Sequence, residues 1–214
     1  MRGGASGPDE PAAPAAEAFE APHLAPPHLA PPHLAPPSVT YHRSFLAALH
    51  ECQAEGRHAE LPADKLADAA EFARYVAALA DGVARPGEPD FYLSALRGEV
   101  PPTRWPDGYV PQTVFWWVAG DQYLGRLSIR HRLTPHLLYE GGTIGFEVRP
   151  GARGRGHATA MLAAALPLAA ALGVDPARLD CDAGNAASRR VIEWNGGVLD
   201  VERGGSLYFW VPTT

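Results

Sequence analysis

The sequence predicts an α/β (α+β) fold, a mixed and mostly antiparallel sheet flanked by helices. Strand-like runs alternate with helix-patterned stretches between residues 113 and 194. Two further pairs of runs are joined by tight turns, at Gly120-Asp121 and Gly204-Gly205, as antiparallel hairpins are. Between the hairpins a strand feeds a glycine- and arginine-rich loop that opens directly into a helix. With 214 residues, 46% of them hydrophobic and 20% charged, the chain can bury one sizeable core or two small ones.

Residues 1 to 38 are low in complexity and carry tandem His-Leu-Ala-Pro-Pro copies starting at His23, His28 and His33. Paired prolines remove N–H donors and favour an extended chain. With no burial pattern, this segment is expected to be a mobile tail, and residues 39 to 214 a single domain. Val39 to His42 is expected to be a short first strand. Ser44 to Glu51 reads as a helix with Phe45, Leu46 and Leu49 on one face. Pro62 to Leu79 reads as a second, with Phe72, Tyr75, Val76 and Leu79 as its apolar stripe and Gly82 as its stop. Residues 83 to 111 break up around prolines, with a short helix expected at Phe91 to Leu96.

Thr113 to Val118 and Tyr123 to His131 form the first hairpin, with Trp116 and Trp117 packing on opposite faces. Thr143 to Val148 is the strand before the loop. Gly156 to Leu172 is the following helix, which Pro167 should kink or split, because it lacks the N–H that would bond to Ala163. Arg178 to Asp182 is a strand, and Ala186 to Trp194 a helix stopped by Asn195-Gly196-Gly197. Gly197 to Glu202 and Ser206 to Val211 close the chain as the second hairpin.

The loop is built to hold a polyphosphate or pyrophosphate. Glycines let a ligand approach the backbone, and a helix start offers unpaired N–H groups at the positive end of its dipole. Arg149, Arg153 and Arg155 add positive charge around it. A nucleotide P-loop is excluded, since no Lys-Ser/Thr pair closes the glycine run. A dinucleotide fingerprint has Thr159 where its third glycine belongs. Asp182 does stand where a ribose-binding acid would, but too little chain follows it for the further βα units such a fold needs.

Arg153-Gly154-Arg155-Gly156-His157-Ala158 resembles the R/Q-x-x-G-x-G/A signature of the GNAT superfamily of N-acetyltransferases. Asn185-Ala186-Ala187-Ser188, Val191-Ile192-Glu193 and Asn195-Gly196-Gly197 resemble that superfamily's second block, and Gly125 falls where these enzymes usually have a glycine. The resemblance covers residues 110 to 214 well and 39 to 109 poorly, and the segments RLSIRHRLTPHLL and CDAGNAASRRVIEWNGG further resemble a bacterial subgroup whose substrates it does not name. It implies a GNAT-type sheet with a splayed strand pair for the cofactor, and acetyl-CoA as the acyl donor. It further implies that Arg153, Gly154, Arg155, Gly156, His157 and Ala158 cradle the pyrophosphate. Backbone around Glu147, Val148 and Arg149 would pair with the pantetheine arm and polarise the thioester carbonyl. Asn185 would hydrogen-bond that arm with support from Ser188, though Asn185 is equally placed to cap the helix that follows it.

Two positions bear on catalysis. Many family members have a tyrosine seven residues after the asparagine, to protonate the leaving thiolate; here that position is Ile192. For the base, the resemblance points to Glu147 on its strand; His131, at the end of a predicted element near the same sheet edge, is the second candidate because its intrinsic pKa suits the task. Glu140 ends an element near the same sheet edge.

Net charge is −6, half of it in the first 38 residues, which argues against a general nucleic-acid binder. Two lone cysteines, Cys52 and Cys181, suggest no disulfide scaffold and a reducing cytoplasm, with Cys181 a small buried strand residue. No stretch reads as a membrane span or signal peptide. No His/Cys cluster has metal-ligand spacing, so no metal is expected. The leading expectation is a cytoplasmic acyl-CoA-dependent N-acyltransferase, in which the amine of a small molecule or peptide attacks the thioester directly. A non-catalytic acyl-CoA-binding or sensor module and a small dinucleotide-binding domain are the alternatives. The oligomeric state and the acceptor's identity stay open.

Overall fold

The computed structural model describes Met1, residues 30–80 and residues 110–214. Element order is β1 (His33–Ala35), α1 (His42–Ala54), α2 (Ala63–Leu66), α3 (Ala69–Ala80), β2 (Gln112–Ala119) and β3 (Gln122–Arg130). There follow α4 (Pro135–Tyr139), β4 (Ile144–Val148), α5 (His157–Ala171), β5 (Ala177–Asp182), α6 (Ala186–Trp194), β6 (Val198–Arg203) and β7 (Ser206–Val211). Two antiparallel sheets result, in the orders β1-β2-β3-β4 and β5-β7-β6.

The sheets meet at the start of β4 and β5 and then part. Thr143, just ahead of β4, donates its N–H to the Arg178 carbonyl at 2.6 Å. Its Oγ1 accepts the Arg178 N–H at 2.8 Å. Beyond this joint no ladder links the two strands among the described residues. Helix α5 packs under the gap, and Met161, Leu162, Ala165 and Ala169 are buried in the core shared by both sheets. A second core lies on the other face of β2, where Phe45, Phe72, Tyr75, Trp116 and Tyr123 pack ring against ring. Trp116 and Trp117 do fall on opposite faces, one in each core.

Several expectations shift. The first strand is not Val39 to His42, whose Val39–Tyr41 portion is a 3-10 turn started by Ser38. It is His33–Ala35, inside the third proline-rich copy, paired antiparallel with Trp116 to Val118. The pair of prolines on each side limits the strand to three residues, and an edge position tolerates them. The folded sheet therefore begins before the boundary expected at residue 38. The helix expected from Pro62 to Leu79 is two, because the Asp68 carboxylate accepts the N–H groups of Ala70 and Glu71 and starts α3 afresh. Helix α5 runs unbroken through Pro167, which lies on its exposed side, while Met161, Leu162, Ala165 and Ala169 are buried on the other. The short helix α4, capped by Thr134, adds an element beyond those the sequence predicts. The Phe91 to Leu96 helix lies outside the described residues.

Candidate active site

The gap between β4 and β5 opens into a cleft of about 840 Å³. Phe146, Glu147 and Val148 form its β4 wall, and Asn185, Ser188 and Val191 the opposite one. The loop from Arg153 and the first turn of α5 close its end. Gly125 sets the back of the β4 wall: it faces Val148 across the ladder, and a Cβ there would lie 2.3 Å from the Glu147 carbonyl oxygen. Only glycine lets β3 and β4 approach so closely.

Gly156 caps α5 in the left-handed region, with φ of 78° and no side chain to accept a hydrogen bond. The amides of His157, Ala158 and Thr159 thus line the cleft without a capping acceptor, at the positive end of a 15-residue helix. Trp117 donates its indole N–H to His157 Nδ1 at 3.2 Å. An indole nitrogen only donates, so neutral His157 carries its proton on Nε2. Burial, aided by Arg155, holds this ring below the ordinary histidine range, so the neutral form prevails at neutral pH.

The loop arginines differ from one another. Arg149 turns away from the cleft to α1, where it is paired with Glu51 and donates to the Ser44 and Tyr123 carbonyls. This pairing holds the Glu51 carboxyl below its usual range. Arg153 grips both oxygens of Glu55 at 2.9 and 3.0 Å and reaches the Val148 carbonyl at 3.3 Å. The Arg149 side chain is therefore a brace between β4 and α1, not an anion ligand, and its backbone is engaged as well: the N–H donates to the Leu124 carbonyl and the carbonyl accepts the Ala152 N–H, both at 3.0 Å. Arg155 is exposed and has no ion pair among the described residues.

Glu147 projects where the cleft meets a smaller cavity of about 30 Å³, lined by Cys52, His58, Tyr123 and Arg126 among others. One of its oxygens is paired with Arg57 and the other lies 2.6 Å from His58 Nε2. Burial first, then the Arg126 guanidinium, pushes the His58 ring below its ordinary value, against the pull of Glu60. Arg57 shares the Glu147 carboxylate, which weakens that group's hold on a His58 proton. His58 sits at φ of 55°, an uncommon backbone state for a side-chain-bearing residue. Neither Arg57 nor His58 carries a sequence signal; only the folded α1–α2 connection brings them to β4.

The fold also assembles Cys52, His58 and Glu147, with ligand-type atoms within 4.8 Å of one another. A cation already stands among them, since Arg57 donates to both Glu147 and the Cys52 sulfur, the latter at 3.6 Å. Burial pushes the Cys52 thiol up, favouring the neutral form that does not ligate metals. The cluster has the chemistry of an ion-pair network.

His131 does not join the site. It follows the last residue of β3, whereas Glu147 lies opposite Arg126, about 16 Å back along the strand. His131 Nε2 bonds with Thr113 Oγ1 at 2.8 Å. Glu140 is exposed at the end of α4. Asn185 caps α6 by accepting the Ser188 N–H at 3.0 Å, which leaves its amide N–H₂ free to donate. Ile192 is fully buried in the core and does not line the cleft. Asp182 is exposed, and its carboxylate accepts the Gly184 N–H at 2.6 Å to form a turn.

This glycine-started helix beside a split strand pair is matched by a family model, Acetyltransferase (GNAT) domain, over residues 57–198. The chain belongs to the GNAT acetyltransferase family. GNAT structures share its fold at low identity. The microcin C7 self-immunity acetyltransferase MccE, solved with acetyl-CoA and AMP, is 10% identical at a TM-score of 0.51, covering 85% of this chain and 92% of its own. Mycobacterium smegmatis RimJ, solved with a CoA disulfide, is 17% identical at 0.51, covering 85% and 81%. RimL, a ribosomal L7/L12 alpha-N-protein acetyltransferase solved with coenzyme A, is 15% identical at 0.50, covering 84% and 92%. A sequence search of curated proteins finds no match.

Proposed function

We propose that this GNAT protein transfers an acetyl group from acetyl-CoA to the primary amine of a small molecule or peptide, by direct attack of the amine nitrogen on the thioester. The observation that carries it is the cleft between β4 and α6, closed by the uncapped start of α5. Its unpaired amides, small Ala158 and exposed Arg155 suit a pyrophosphate. The Asn185 amide and Ser188 hydroxyl suit the amide-bearing arm that follows. A β4 amide near Val148 stabilises the oxyanion as the tetrahedral centre forms.

Glu147, at the junction of cleft and inner cavity, takes the proton that the amine sheds. Arg57 and His58 fix its two oxygens. The thiolate that leaves is a weak base and needs only modest protonation, so the aliphatic Ile192 does not bar turnover. Two free buried cysteines, and the absence of any helix among the described residues long and apolar enough to cross a membrane, suit a cytoplasmic enzyme.

The test is release of free coenzyme A thiol from acetyl-CoA across a panel of amines. Because RimL is by name a protein alpha-N-acetyltransferase, the panel includes peptides with free N-termini beside polyamines, aminoglycosides and amino acids. Turnover with any member supports an enzyme. Tight acetyl-CoA binding with no turnover across the panel favours the sensor module.

A further inference from the structure

Trp194 is 83% exposed, an unusual state for the largest side chain at the end of a folded helix. It is no stray surface residue. Ala187, Arg190, Val191 and Trp194 recur at helical spacing and line the cleft, while Ile192 on the opposite side of α6 is in the core. Asn195 fixes where this face lies, since its Nδ2 donates to the Thr159 carbonyl at 3.3 Å and to the Val191 carbonyl at 2.8 Å. The end of α6 is thereby tied to the first turn of α5, the anion-binding end of the cleft.

Charge along the same face is selective. Arg189 is neutralised by Glu193 at 2.8 Å. Arg190 is exposed, lines the cleft and has no ion pair among the described residues. A flat apolar ring and an unpaired guanidinium, side by side next to a helix start, form a receptor for an aromatic base that carries phosphate. The amine acceptor does not fit this place, because it must reach Glu147 on the β4 wall.

We infer that, with coenzyme A as the ligand of the cleft as proposed above, Trp194 and Arg190 form the subsite for its adenosine end. Trp194 stacks on the adenine ring and Arg190 pairs with a phosphate of the same nucleotide. The subsite contributes to affinity and takes no part in acetyl transfer.

Calorimetry with three ligands tests this: coenzyme A, dephospho-coenzyme A and 4′-phosphopantetheine, which lacks the nucleoside. Trp194→Ala should weaken coenzyme A and dephospho-coenzyme A alike, by roughly 5- to 100-fold. It should leave 4′-phosphopantetheine unchanged, and Trp194→Phe should restore most of the loss. Arg190→Ala should weaken coenzyme A. If that loss vanishes with dephospho-coenzyme A the partner is the 3′-phosphate; if it persists, the pyrophosphate. Wild-type affinity for coenzyme A in Trp194→Ala, or an equal loss for 4′-phosphopantetheine, overturns the subsite. Unchanged coenzyme A affinity in Arg190→Ala removes Arg190 from it. If the wild-type protein binds none of the three, the coenzyme assignment itself fails, and the subsite with it.

Discussion

The two ends of the cleft treat charge in opposite ways. On the β4 side Arg57 is paired with Glu55 and Glu147, Arg149 with Glu51 and Arg153 with Glu55. On the α5–α6 side Arg155 and Arg190 have no ion pair among the described residues, and Trp194 stands in solvent. Paired arginines hold a shape, because their guanidinium groups are already satisfied by carboxylates. Unpaired ones, with free helix amides between them, are what an incoming anion meets. The number of arginines in the loop therefore says less about ligand binding than the location of their partners.

The largest effect expected from that contrast is at the open end. Ala158→Asp puts a carboxylate where the pyrophosphate would sit, and should lower coenzyme A affinity more than about 100-fold with the fold intact. Gly156→Asp should do the same but adds backbone strain of about 1 kcal/mol at its positive φ, so the alanine site is the cleaner probe. Unchanged calorimetric affinity in a folded Ala158→Asp protein would remove the anion site from this end.

At the paired end the effect moves from binding to rate. Glu147→Gln keeps the size of the side chain but cannot accept the proton, and turnover should fall by roughly 10²-fold with coenzyme A affinity nearly unchanged. The defect should shrink as pH rises, since more of the amine then arrives already deprotonated. His131→Ala should be close to wild type, because His131 lies at the far end of β3. If His131→Ala is the slower of the two, the base has been misassigned.

Arg149→Ala tests the brace. Only 12% of its side chain is exposed, and its loss strands Glu51. A cost of about 2 to 3 kcal/mol is expected, below that of a fully buried pair because Glu51 is partly exposed, or a drop of roughly 5 to 10 °C in melting temperature. Coenzyme A affinity of the folded protein should not change. A loss of affinity without a loss of stability would make Arg149 a ligand after all.

The proline-rich segment is the next smaller test. A chain that starts at Ser38 keeps the cap of the 3-10 turn but lacks β1; one that starts at Pro31 keeps both. Loss of the β1 pairing and of half-buried Leu34 should cost about 1 to 2 kcal/mol. It also bares the edge of β2, an invitation to aggregation. Equal melting temperatures for the two chains would show that β1 adds nothing to the sheet.

The differing legibility of the two ends follows from the same physics. The loop from Arg153 to Ala158 and the cap at Asn185 are local: spacing in the chain sets which backbone groups are free, so both could be read from the sequence. The partners of Glu147 are not local. Arg57 and His58 lie about 90 positions earlier in the chain, and no periodicity couples them to β4. The third proline-rich copy is the clearest case, since identical repeats carry no signal of which one will find a sheet edge. His131 is the reverse case, a suitable side chain that the register along β3 sets about 16 Å from Glu147.

The smallest effect expected is in the pH dependence of the paired end. His58 is faced by Arg57 and Arg126, by the carboxylates of Glu60 and Glu147, and by the neutral Cys52 thiol. Its folded-state pKa lies below the ordinary value near 6.5, so the unfolded chain binds the extra proton more readily. The stability that neutral His58 contributes is therefore fully present above about pH 6.5 and lost as pH falls through the folded value. Melting temperatures of wild type and His58→Gln, compared from about pH 8 to pH 5, should converge or cross toward the acid end as the wild type loses its advantage. Divergence in the wild type's favour on acidification would mean that Glu147 holds a proton on the imidazole. The paired end would then be a charged cluster from neutral pH downward, and the contrast between the two ends would need redrawing around His58.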